Sequence, residues 1–229
     1  MTGRRHEVLR VESFSDAVFA FALTLLVVSL EVPKDFDHLW NLVRHLVPFA
    51  LMFAMVCWIW YEHNAFFRRY GLQDGPTIAL NSVLLFVVLF YVYPLKFLVV
   101  AGLGGAFHIA DAPHIEGGRD TRILMLLYSS GLCAIFLTFT LLYAHAWRRR
   151  VVLMLSPIET VELRASLRGH ALTAGIGAAS ILIASLNEHW VGFAGLIYFL
   201  IGPALTWNGM RAGKQRARFE TSPPSHAKR

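Results

Sequence analysis

The sequence predicts an all-α polytopic membrane protein with six transmembrane helices per chain. Of its 229 residues 56% are hydrophobic and only 16% charged, with a mean hydropathy of +0.52, a composition far from that of a soluble domain. Six apolar segments can each cross a hydrocarbon core of about 30 Å, which takes about 20 helical residues. Basic residues alternate between the connecting segments in the manner of a topology signal.

The first span, residues 13–32, follows a polar head in which Arg10, Phe14, Ser15 and Asp16 stand at the membrane threshold. Ser13 or Ser15 can cap this helix, and Asp16 suits its positive end. An aspartate near one turn inside a span is costly and calls for partners, since insertion of one at mid-membrane costs about 3 kcal/mol. The second span, 46–66, carries Pro48 near its start and Trp60, His63 and Asn64 near its end. The third, 77–98, carries Asn81 early and Pro94 late. The fourth is placed at 122–146. The fifth, 169–187, has Ala171, Gly175 and Ala179 at four-residue spacing, a close-packing pattern. The sixth, 191–210, contains Pro203, which lipid-embedded helices tolerate when neighbours satisfy the freed carbonyl. Residues 1–211 thus read as one six-helix transmembrane domain, and 212–229 as a basic tail expected to fray. The first apolar run is too long for a cleavable signal peptide and lacks a small-residue cleavage site.

With the N-terminus in the cytoplasm, all but five of the 21 lysines and arginines fall on the cytoplasmic side. The exceptions are Lys34, Arg44, Lys96, Arg119 and Arg122. Both termini are therefore expected to be cytoplasmic, and the net charge of +6 reports topology and contact with anionic lipid, not nucleic acid. Cys57 and Cys133 both lie in predicted spans, without a disulfide or zinc pattern. The loop at 99–121 holds His108, Asp111, His114 and Glu116, at a spacing that matches no standard metal site. His45, His63, His145 and His170 sit near span ends without the facing pairs a membrane haem requires. No hydrolase constellation stands out, so no enzyme is expected and no cofactor.

Because consecutive spans run in opposite directions, the head of the first, the end of the second and the start of the third share one depth. Arg10, Trp60, His63 and Asn81 are therefore expected to compensate Asp16 and the serines in a hydrogen-bonded cluster. Such a cluster could simply staple three helices, or could hold a functional helix in place. The Arg10-x-x-x-Phe14-Ser15-Asp16 head, the Ala22-Leu23-Thr24-Leu25-Leu26 run, Trp60-x-x-His63 and Leu80-Asn81 resemble the transmembrane protein 175 family of potassium channels. The resemblance covers about residues 8–100 and continues beyond them by helix count and spacing.

What the resemblance implies is specific. The first helix lines a central pore in a homotetramer, braced by Arg10, Phe14, Ser15, Asp16, Trp60 and His63. Phe21, Leu25 and Val28 form a hydrophobic constriction, with Thr24 beside the path bearing on selectivity. Phe21 departs from the pattern, since the family usually has isoleucine or leucine there. The implied function is a potassium-preferring cation leak channel in a bacterial plasma membrane, with potassium ions the permeating species. No Thr-Val-Gly-Tyr-Gly filter occurs in the sequence, so discrimination would come from the constriction and not from carbonyls. By periodicity alone, a stripe of Val18, Phe21, Leu25, Val28 and Val32 would face lipid or another helix. An ion- or proton-coupled secondary transporter is the alternative function.

Overall fold

The computed structural model describes residues 10–28, 30, 32–110, 112–113, 115 and 117–220. Among them every regular element is helical: α1 (Arg10–Val28), α2 (Phe36–Arg44), α3 (Leu46–Tyr70), α4 (Gly75–Phe107), α5 (Gly117–Arg148), α6 (Pro157–Leu186), α7 (Val191–Leu196) and α8 (Ile201–Glu220). Six stretches have the length and apolarity to cross a membrane, the sixth running from Glu188 to Ala217 through α7 and α8. Asp111, His114 and Glu116, named above for loop chemistry, lie outside the described residues, as do the basic Arg4, Arg5, Lys228 and Arg229.

Short-range chemistry sets the ends. Asp35 caps α2 by accepting the His38 N–H at 2.8 Å. Gly71 ends α3 in a left-handed conformation, φ 56°, where its N–H reaches the Phe67 carbonyl and a side chain would be strained. Ser156 and Glu159 form a reciprocal capping box at the start of α6, with Pro157 at its first turn.

Five expectations about extent need correction. The segment after the first span holds α2, which is strongly amphipathic and only nine residues long. α4 runs to Phe107, so the first part of the expected 99–121 loop is helix. α6 begins at Pro157, a dozen residues ahead of the apolar run, because the capping box starts it in polar sequence. The last span is not one helix. A 3-10 stretch at Ile197–Leu200 separates α7 from α8, immediately before Pro203, whose ring cannot accommodate the carbonyl four residues earlier. The tail expected to fray after Ala212 is helical to Glu220, and Arg216 reaches Glu162 at 3.1 Å.

α1 packs on α3 and α4; α4 and α3 contact α5; and α5 packs extensively on α6, which carries α7 and α8. Phe66, Phe67, Phe136, Phe139, Leu142 and Leu163 form the buried centre. Where α5 meets α6, Gly177 stacks against Cys133, a free half-buried cysteine. A directed chain of hydroxyls joins the second half: Tyr198 donates to Ser129 at 2.7 Å, Ser129 meets Ser180 at 2.9 Å, and Ser180 donates to the Ala194 carbonyl. Gly131 of α5 lies flat on Tyr91 of α4, and a Cβ there would sit 2.1 Å from the ring. Gly131→Ala should therefore lower the thermal unfolding midpoint in detergent. The overpacking cost of about 1–3 kcal/mol exceeds the gain of about 1 kcal/mol in helix propensity.

At the end of the bundle where α3 turns into α4, Asp74 caps α4 through Thr77 and pairs with His145 at 2.7 Å and Arg149 at 3.1 Å. The Thr77 hydroxyl first, then His145 and the Thr77 N–H, hold the Asp74 carboxyl down at about 2. A carboxyl depressed in the folded state stabilises above its unfolded value near 4, and that contribution is lost as pH falls from about 4 through about 2. Hence Asp74→Asn should melt below wild type at pH 6, with the gap closing by pH 2.

Candidate functional site

The candidate site is the seat of α1 and the face that seating leaves bare. Ser15, Phe19, Ala22 and Leu26 recur at helical spacing and are buried against α3 and α4. The polar part of this face is a directed relay. His63 of α3 is 0% exposed and its Nε2 lies 2.8 Å from Asn81 Oδ1. That carbonyl oxygen only accepts, so the ring nitrogen donates. Asn81 of α4 donates Nδ2 to Ser15 Oγ at 2.9 Å, and Ser15 donates to the Val11 carbonyl at 2.7 Å. Phe19 and Phe67 flank the imidazole. The other ring nitrogen of His63, Nδ1, is buried with no partner among the described residues.

Beside the relay, the Trp60 indole N–H donates to Asp16 Oδ1 at 2.8 Å. One neutral donor and a partly exposed position hold this carboxylate, and a full ion pair is not needed. The structure thus brings Ser15, Asp16, Trp60, His63 and Asn81 together across three helices. It does not bring Arg10 to them: Arg10 is exposed at the start of α1, without a hydrogen bond or ion pair among the described residues. Phe14 is also exposed.

Opposite the buried face, α1 presents Ala17, Ala20, Phe21, Thr24, Val27 and Val28, all exposed, with Leu25 half-buried at its margin. Phe21 is 56% and Val28 71% exposed, so no described residue of the protomer covers this stripe. The Thr24 hydroxyl donates to the Ala20 carbonyl at 2.9 Å, leaving its oxygen lone pairs directed off the helix. From Phe21 to Val28 the stripe is about 10 Å long.

One polar pair carries no motif and was not expected. Glu62 of α3 and His170 of α6 lie 3.6 Å apart between the two halves of the bundle, and His170 is stacked among Phe136, Phe139 and Tyr143. The only sequence signal was a carboxylate inside a span, which is reason enough to seek a partner. No group of three metal-binding side chains occurs among the described residues.

These features define a class: a six-span helical membrane protein whose first helix is seated by a polar relay and leaves an apolar stripe uncovered. A family model described as the endosomal/lysosomal potassium channel TMEM175 matches residues 10–94, α1 through most of α4. A potassium channel of Marivirga tractuosa is 39% identical over 228 residues, covering 94% of this chain and 92% of that one. The chain belongs to the TMEM175 family. A potassium channel of Streptomyces collinus is 28% identical over 145 residues, covering 61% of this chain and 64% of the relative. Among solved structures, a variant of the potassium channel MtTMEM175 bound to a nanobody–MBP fusion superposes with a TM-score of 0.81 at 37% identity, covering 92% of this chain and 96% of that one. A TMEM175 homologue from Chamaesiphon minutus shares the fold, with a TM-score of 0.57 at 22% identity over 89% of this chain and 96% of that one.

Proposed function

We propose that this protein is a potassium-preferring cation leak channel. Four protomers place the bare stripe of α1 around a common axis, and Phe21, Leu25 and Val28 make a hydrophobic neck with Thr24 beside it. The single observation that carries this reading is the division of α1 into two faces. Its buried face is tied to α3 and α4, while its bulky apolar stripe has no partner among the described residues of the protomer. A closed rotational assembly is the usual way to cover identical patches. An apolar neck excludes water when narrow, and ions shed part of their hydration to pass; potassium holds its water less tightly than sodium and is modestly favoured.

The distribution of arginines supports cytoplasmic termini, and a bacterial plasma membrane suits relatives from bacteria. Recording single channels in a planar bilayer with potassium on one side and sodium on the other tests the function. A passive current reversing toward the potassium equilibrium potential is expected. Electrically silent, substrate-driven uptake in vesicles with no such current would instead establish the transporter.

A further inference from the structure

On the half of the bundle built by α6 and α8, three arginines gather without a carboxylate partner among the described residues. Arg164 and Arg168 stand one turn apart on α6, and both Arg164 and Arg211 of α8 lie within electrostatic reach of Arg168. The helices are fixed close together here. Asn208 donates to the Ala165 carbonyl at 2.8 Å, and Gly169 makes room for Leu205 and Asn208. The nearby carboxylates are engaged elsewhere, Glu162 with Arg69 and Arg216, and Glu159 with the backbone of Ser156. Among the described residues no carboxylate pairs with Arg164, Arg168 or Arg211. Arg168 Nη2 is moreover buried with no hydrogen-bond partner, a costly state for a guanidinium N–H. Like charges held together around an unpaired donor call for an anion.

The surroundings say which anion. Arg164 and Arg150 both lie over the Trp147 ring, at 4.8 and 4.7 Å, and Arg211 lies over the half-exposed Trp207 at 5.5 Å. Aromatic rings under cations at this depth are the furniture of a membrane interface. Toward mid-bilayer from Trp207, α8 is preceded by the exposed apolar Phe199 and Leu200. Arg164 also lines a groove of about 560 Å³, together with Leu155, Thr160, Val161, Gln215 and Phe219 among others.

We propose that this cluster is a binding site for one anionic phospholipid per protomer. The phosphodiester sits among Arg164, Arg168 and Arg211, and a turn of the Arg168 side chain brings its buried Nη2 donor to it. The acyl chains run past Trp207 along α8, and a hydroxyl-bearing headgroup enters the groove toward Thr160 and Gln215. A zwitterionic lipid would bring its own cation against three guanidinium groups and is disfavoured. This site is independent of the ion path and stands whether or not α1 conducts.

The test uses the full-length protein reconstituted in phosphatidylcholine vesicles with or without phosphatidylglycerol, then extracted into detergent at low salt, with bound lipids counted by native mass spectrometry. The wild type should retain one phosphatidylglycerol per protomer in preference to phosphatidylcholine. Each basic side chain at an anionic surface contributes about fivefold. R164Q/R168Q/R211Q should therefore lower that preference by about a hundredfold, and R211Q alone, the milder change, by about fivefold. R68Q/R119Q/R148Q, with the same loss of charge elsewhere, should retain the lipid. Equal retention of the two lipids by wild type would overturn the site, as would unchanged retention in R211Q and the triple variant. If millimolar inorganic phosphate in phosphatidylcholine vesicles raises the melting temperature as much as phosphatidylglycerol does, the site is one for a free anion and the lipid proposal fails.

Discussion

Phe21→Ala should raise unitary conductance by roughly threefold or more and move the reversal potential under bi-ionic potassium and sodium toward zero. The reasoning starts from α1 itself. Phe21 is the bulkiest side chain on the bare stripe and is 56% exposed in the protomer, so its removal leaves no cavity within the fold. If the stripe faces the axis, four rings are replaced by four methyl groups, and the neck widens at its narrowest level. A wider, wetter neck demands less dehydration, and the preference for the more weakly hydrated ion falls with it. Bi-ionic recordings on wild type and variant read both quantities at once. Unchanged conductance and selectivity would remove Phe21 from the ion path.

The second large effect concerns the seat of α1. Asn81→Leu should severely reduce the yield of assembled protein, because it strands the His63 ring N–H in a site closed to water. His63 is 0% exposed and its Nδ1 already has no partner among the described residues; without Asn81 both ring nitrogens are unpaired, while Ser15 loses a donor but keeps its bond to the Val11 carbonyl. Interhelical hydrogen bonds within membranes contribute only about 0.6–2 kcal/mol each. The penalty therefore lies mainly in the stranded ring N–H, about 1–3 kcal/mol. This distinction yields a sharper expectation. The double variant His63→Leu/Asn81→Leu removes both partners and should melt above Asn81→Leu, although it carries one more substitution. Thermal unfolding in detergent, followed with gel filtration for assembly, checks the order. A double variant less stable than the single would mean that the relay does not couple α3 to α4 as described.

Much of this was legible in the residues, for identifiable reasons. Span count follows from apolar length, which no local accident disguises. The meeting of Ser15, Asp16, Trp60, His63 and Asn81 follows from antiparallel succession of three spans, which places their polar ends at one depth. Contacts of Arg10 were not legible in the same way. A long side chain at a helix start can reach inward or outward with equal ease, and here Trp60 already serves Asp16. α2 escaped because its apolar residues Phe36, Leu39, Trp40 and Val43 share one face of a short helix and never form a run long enough to read as a span. The early start of α6 was in fact written in Ser156-Pro157-x-Glu159, a capping box that hydropathy overlooks. The break ahead of Pro203 shows that proline's effect falls on the preceding turn, where composition alone still reads as a span. The Glu62 and His170 pair depends on which faces of two spans distant in sequence meet, and only the packing of α3, α5 and α6 decides that.

Cadmium block of a cysteine variant tests the orientation of α1 most directly. In an assembled channel carrying Phe21→Cys, several thiolates around one axis would converge on a single soft cation. Currents should then be blocked by micromolar Cd²⁺ and recover with chelator, while wild type and Leu182→Cys, on an exposed face of α6, stay insensitive. A Phe21→Cys channel that conducts normally and ignores Cd²⁺ would mean that the bare stripe of α1 faces lipid and that ions cross elsewhere.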